Sequence, residues 1–144
     1  MSKQTNNVGL RLYGFRVILT VEGVMLRLEQ RGVRVVETLE HMDGRVGWYC
    51  HQSRTIGLHP DLLERQKLPV LLHEAIHHAR QDEGHQSEAV ERRINEQVAS
   101  LLIDPVDYAW AEGQVGHHTG GLAALLDVPM WVVEAYRRTL ARAA

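Results

Sequence analysis

Apolar residues recur at helical spacing through Leu10, Tyr13, Val17, Ile18, Val21, Val24, Met25 and Leu28, which predicts an amphipathic helix over residues 10–30. Gly14 and Gly23 interrupt it and weaken it. After Gly32 the period changes. Val33 to Leu39 is β-branched and alternating, which predicts a strand. Asp43-Gly44 signals a turn, Arg45 to His51 a second strand, and Thr55 to Leu58 a third. The remainder reads as helices. Pro69 suits a first helical turn and Gly84 a stop. Ser87 can cap a helix running from Glu88 to Ile103, which Asp104-Pro105 ends. Glu112 to Gly121 is a loose stretch, and residues 120–144 read as a closing helical pair. Residues 1–8 are polar and read as disordered. The expectation is one α+β domain over residues 1–144, a mainly helical body with a small antiparallel sheet of about three strands.

One segment carries chemistry. His73-Glu74-Ala75-Ile76-His77 reads H-E-x-x-H. Two histidines four residues apart stand on one face of a helix, about one turn apart, so both imidazoles can reach one metal ion. Glu74 lies on the same side and can take a proton from an attacking water. The chemistry is zinc-assisted hydrolysis, most often of a peptide bond. The bland alternative is a solvated helix face that happens to carry two histidines. The apolar run Leu68-Pro69-Val70-Leu71-Leu72, with Ala75, Ile76 and Ala79, opposes it, because a metal site needs shielding from bulk water.

The next helix offers a third ligand. Glu91 and Asn95 stand at i and i+4, on one face, which Val98 and Leu102 continue inward. Glu91 would complete a two-His, one-carboxylate set and leave a fourth position open. Asn95 would accept from the free ring N–H of a ligand histidine and fix its orientation. Glu88 and Glu96 compete for the ligand role. Glu88 is on a neighbouring face, and Glu96 points away by helix rotation of about 100° per residue. Glu91 is preferred because only it has the amide one turn on.

These residues resemble a family. H-E-A-I-H-H followed by E-R-R-I-N-E-Q-V-A-S-L-L-I-D-P is similar to the ImmA/IrrE zinc metallopeptidases, which carry H-E-x-x-H and then a helix of the type E-x-E-A-N-x-F-A-x-x-L-L-x-P. His73 and His77 match the metal histidines, Glu74 the general base, Glu91 the ligand carboxylate and Asn95 the family asparagine. Ala99, Leu101 and Leu102 match packing positions. Arg93, Ile94 and Val98 depart from the pattern, and Asp104 is one extra residue before the proline; none of these removes a ligand. Gly47 to Cys50 and Thr55 to His59 resemble the family's short hairpin before the active helix. The resemblance implies a zincin-like fold, bound Zn²⁺, and cleavage of a helix-turn-helix transcriptional repressor of a prophage, a mobile element or a stress regulon. The non-enzymatic alternatives are a metal-stabilised module that binds a repressor without cutting it, and a weak DNA binder. The segments Arg45 to His51 and Thr55 to Leu58 are the expected sheet edges on which a substrate strand would dock.

Other candidates are weaker. His117 and His118, or Tyr49 and Tyr108, could stabilise an oxyanion, but loop and packing roles explain them as well. His78 is rotated off the metal face. His41, His51, His59 and His85 lack ligand spacing, and Trp48, Trp110 and Trp131 read as packing residues. Leu122 to Arg138 resembles a helix-turn-helix, with Asp127 where a turn glycine is usual. Met130 and Trp131 stand where base-reading polar groups are expected, which favours two packed helices.

Composition narrows the classes further. The 144 residues are 44% hydrophobic and 24% charged, ordinary for a globular chain with a real core. The net charge of −2 makes no electrostatic case for nucleic acid or an anionic membrane. Cys50, the single cysteine, cannot form an internal disulfide, which suits a reducing cytoplasm. Met1 to Asn7 lacks the apolar core of a signal peptide. No apolar run approaches the ~20 residues of a membrane span.

Overall fold

A computed structural model describes residues 9–12 and 15–144. Residues 1–8, read as disordered from sequence, lie outside the described part. The single helix expected over residues 10–30 is instead three elements. Strands β1 (Gly9–Leu12) and β2 (Phe15–Ile18) pair antiparallel, and helix α1 (Val21–Gln30) follows. Thr20 sets the helix start: its Oγ1 accepts from the Gly23 N–H at 3.0 Å, filling a donor that the first turn leaves open. Periodicity counted apolar positions across this cap, but a side-chain cap, not spacing, decides where a helix begins.

Three further strands form the second sheet: β3 (Arg34–Glu37), β4 (Gly47–Cys50) and β5 (Thr55–Leu58). Their order is β3-β5-β4, with β5 parallel to β3 and antiparallel to β4. The sheet is therefore mixed, where a wholly antiparallel one was expected. Asp43 and Gly44 do turn the chain, with φ of 49° and 79°, but the turn does not pair β3 with β4. β5 inserts between them and is buried along its whole length, as a central strand should be. Thr55 to Leu58 is thus no edge; β4 is an outer strand.

Two glycines make the sheet possible. A Cβ on Gly57 would meet the Trp48 ring at 2.2 Å, so the indole lies flat on bare backbone, with its Nε1 donating to the Glu40 carbonyl at 2.8 Å. A Cβ on Gly47 would meet Val70 Cγ1 at 2.8 Å and Glu74 Cγ at 3.4 Å. Gly47 therefore lets β4 lie close against the next helix.

That helix, α2 (Glu64–Arg80), divides the interior. Val70 and Leu71 pack with Leu28, Val33, Ile56 and Leu58 on the sheet side. Leu68 and Leu72 face the helical core, built around Ile94, Val98, Leu122, Val132 and Val133. Burial of each such side chain contributes roughly 1.5–3 kcal/mol, so α2 is held from both sides. It starts earlier than expected: Pro69 lies inside it and is buried, and the start is instead marked by Gln66, whose side chain accepts from the Leu63 N–H at 3.1 Å. Its end is not Gly84 but Gln81, in the left-handed conformation with φ 59°.

Helices α3 (Glu88–Leu102), α4 (Pro105–Val115), α5 (Thr119–Leu126) and α6 (Met130–Ala143) complete the body. Ser87 caps α3 as expected, accepting from the Val90 N–H at 3.2 Å. The loose stretch expected at Glu112 to Gly121 shrinks to the link between α4 and α5, because α4 runs on to Val115 and the His118 ring caps α5 by accepting from the Gly121 N–H at 2.8 Å. Trp110, expected to pack, is 57% exposed. The architecture is a mainly helical α+β fold. Among the described residues, no helix is long and apolar enough to cross a membrane.

Candidate metal centre

The C-terminal half of α2 lies against the N-terminal half of α3, and three side chains meet there. His73 Nε2 is 2.8 Å from Glu91 Oε2, and His77 Nε2 is 3.1 Å from Glu91 Oε1. The two imidazole centroids are 5.0 Å apart. The ligand atoms of His73, His77 and Glu91 all lie within 4.8 Å of one another, which makes the group able to hold a metal ion. Two ligands at about 2.0 Å from a tetrahedral ion stand roughly 3.3 Å apart, close to these separations.

The outer nitrogens decide what the inner ones present. His73 Nδ1 donates to Asn95 Oδ1 at 2.8 Å, and His77 Nδ1 donates to Asp82 Oδ2 at 2.9 Å. Both partners are acceptors, so the ring proton of a neutral histidine sits on Nδ1. Each Nε2 then offers a lone pair, and each faces a carboxylate that also offers lone pairs. Burial holds the His73 imidazole below its ordinary value, against the pull of Glu91, and so favours the neutral ring. Acceptors crowded together in this way call for a cation between them. The donor set thus fits a divalent metal with two imidazoles and one carboxylate.

Glu74 stands beside this group and is buried, at 7% exposure. Burial pushes its carboxyl up to about 7, with Glu91 adding to the rise and His77 and Arg45 opposing it. A cleft of about 260 Å³ opens over the four residues. Arg45, Gly47 and Tyr49 line its sheet side, and His85 and Gln86 the side formed by the α2–α3 loop.

The remaining candidates separate cleanly. Glu88 is exposed and outside the cluster. Glu96 is buried on the far side of α3, where Arg142 Nη1 and Nη2 donate to its two oxygens at 2.7 and 2.6 Å and Arg138 Nε donates at 3.3 Å. His78 Nδ1 lies 3.0 Å from the Tyr49 hydroxyl, off the metal face, and His51 Nδ1 lies 2.9 Å from the same hydroxyl. Tyr108 packs on Tyr136 in the core with ring centroids 4.8 Å apart. Neither His117 nor His118 lines the cleft.

Sequence reasoning gave no role to His85 or Asp82, and reached Arg45 and Gly47 only as part of the segment expected to dock a substrate strand. Arg45 and His85 lie on loops whose paths follow no period. Gly47 carried a legible signal, since an interior strand glycine often marks close backbone approach. Asp82 carried none, because it reaches His77 through the left-handed turn at Gln81.

Comparison with known proteins finds no match among family models, curated sequences or solved structures. Fold and site therefore define the class by themselves: a mainly helical α+β protein whose His73, His77 and Glu91 can hold a metal ion.

Proposed function

We propose that the protein is a zinc-dependent endopeptidase. The observation that carries this reading is the convergence of His73 Nε2, His77 Nε2 and a Glu91 carboxylate oxygen, all lone-pair donors to a metal, beside the buried carboxyl of Glu74. Three protein ligands of this kind leave a fourth position free, the pattern of catalytic rather than structural zinc. When bound, zinc supplies Lewis acidity that polarises a scissile carbonyl and acidifies water. Glu74 accepts the proton of the attacking water and passes it to the leaving amine nitrogen. Its burial beside His73, His77 and Glu91 keeps the carboxyl at hand for both halves of that task. Asn95 holds the His73 ring, and Arg45 brings a positive charge to the mouth of the cleft. β4, an outer strand that borders the cleft through Gly47 and Tyr49, is the segment on which a substrate strand would add.

The proposed substrate is a helix-turn-helix transcriptional repressor, on the strength of the motif resemblance alone, and its cleavage would take place in the cytoplasm. Direct DNA reading is disfavoured. The arginines of α6 turn to Glu96 and to the α4–α5 link, where Arg137 donates to the His117 carbonyl.

The test compares wild type with Glu74→Gln. Both should purify with about one zinc per chain. Labelling of new protein N-termini in cells expressing each should yield a small set unique to wild type, with a repressor among them. Removal of a general base should slow that cleavage by ~10² or more. Stoichiometric zinc with no wild-type-specific termini would replace the peptidase by a metal-stabilised binding module.

A further inference from the structure

The last turn of α2 ends in a way that reaches back to the metal centre. Gln81 adopts φ 59° and ψ 37°, and two backbone bonds close the turn behind it: Gln81 N–H to the His78 carbonyl at 2.9 Å and Asp82 N–H to the His77 carbonyl at 3.1 Å. This is the Schellman arrangement, in which one left-handed residue folds the chain back over the final helical turn. It is usually built on glycine, since a Cβ in this conformation crowds the following backbone carbonyl. Here glutamine occupies the position, and the residue folded back is Asp82.

The fold-back puts the Asp82 carboxylate against His77. Its Oδ2 accepts from His77 Nδ1 at 2.9 Å and from Arg80 Nε at 2.7 Å. The Asp82 side chain is only 11% exposed, so its bond to His77 is partly shielded from water, whereas the bond from Arg80 lies at the surface. Arg80, on the same turn, fixes the carboxylate from its outer side. The two histidines are therefore held unequally: His73 by a neutral amide, His77 by a carboxylate that is itself anchored by a guanidinium.

We propose that Asp82 is a positioning residue of the metal centre, holding His77 with Nε2 directed at the metal and strengthening it as a donor, and that the Gln81 turn exists to place it there. This rests on the metal-site part of the proposed function and not on peptidase activity. A carboxylate acceptor makes a charge-assisted bond, stronger than the amide bond to His73. Outer partners of ligand histidines typically control metal affinity by 10–100-fold.

Zinc affinity, measured by competition against a chromophoric chelator, tests this in the full chain, with the visible spectrum of the cobalt-substituted protein as a second readout. Asp82→Ala should bind zinc about 10- to 100-fold more weakly and shift the cobalt bands. Asp82→Asn keeps an acceptor of the same shape, so it should recover part of the affinity; a merely structural role at the helix end would not be rescued through the cobalt spectrum. Melting of each variant in chelator checks that the metal-free fold is intact. Wild-type zinc affinity and an unchanged cobalt spectrum in both variants would overturn the proposal while leaving the metal centre standing. A wild type that binds no zinc would overturn both. A zinc-binding wild type with the expected variant pattern and no proteolysis would uphold Asp82 and sink only the peptidase.

Discussion

Glu91 and Glu96 stand on the same helix, five positions apart, and face opposite neighbours. Glu91 looks to α2 and meets two imidazole nitrogens whose protons point elsewhere. Glu96 looks to α6 and meets the forked guanidinium of Arg142 with Arg138 beside it. The second carboxylate is completed by the chain: every oxygen has a cationic donor, and the result pins α6 to α3. The first faces two imidazole nitrogens that offer lone pairs, and the group it forms with them can hold a metal ion. A buried or half-buried carboxylate thus marks a candidate site by what its neighbours fail to supply, not by being buried. By burial alone Glu96 would rank above Glu91, with a side-chain exposure of 6% against 37%.

The sharpest way to break this contrast is to delete each carboxylate in turn. Glu91→Ala should abolish stoichiometric zinc, an effect beyond the about 100-fold that bounds outer partners. Glu96→Ala should leave zinc content unchanged and lower the melting temperature instead. Metal analysis and thermal melting of the two variants check this, and zinc lost from Glu96→Ala with Glu91→Ala silent would reverse the assignment. His73→Ala and His77→Ala belong with Glu91→Ala.

A smaller effect should follow on the metal side from Asn95→Ala, which frees the His73 ring without removing a ligand. Zinc affinity should fall by about 10- to 100-fold, as read by chelator competition, with little change in melting temperature. Equal affinity would mean that Asn95 is only a neighbour.

On the packing side of the same site, Gly47→Ala would drive a methyl into Val70 Cγ1 at 2.8 Å and crowd Glu74 Cγ at 3.4 Å. Overpacking of this kind costs roughly 1–3 kcal/mol. Denaturant unfolding should register that loss, and cleavage should suffer as β4 lifts from α2. A fully stable and active variant would mean that β4 can shift freely.

The smallest effect concerns acid. The hydrogen bond from Arg142, with that from Arg138, holds the Glu96 carboxyl below its ordinary value of 4.5 although burial opposes it. A depressed carboxylate contributes stability that is full above the unfolded value and is lost as pH falls through the folded one. The wild type should therefore lose melting temperature faster than Glu96→Gln does as pH drops below about 4.5. Parallel curves for the two proteins would show that the Glu96 fork contributes nothing to folding.

Much of the candidate metal centre was legible because helical geometry is local. The i, i+4 spacing of His73 and His77, and of Glu91 and Asn95, places each pair on one face wherever the helices go. Ser87 likewise announced the start of α3 through a cap that spans three residues. What failed was everything that depends on how segments meet. The helix expected over residues 10–30 became a hairpin and a helix because Thr20 caps at a point the period cannot mark. The antiparallel sheet became mixed because pairing order is a long-range choice, and burying the apolar Thr55–Leu58 segment on both edges put it in the middle.

The sequence by itself placed His73 and His77 on one face of one helix and Glu91 and Asn95 on one face of the next, since those placements follow from repeat distances within single elements. Only the tertiary structure decided that Glu96 is spent on α6, that Gly47 brings β4 to Glu74, and that Asp82 stands behind His77. The reason in each case is that the partner lies across a helix interface, a strand–helix contact or a left-handed turn, and no spacing along the chain encodes such a meeting.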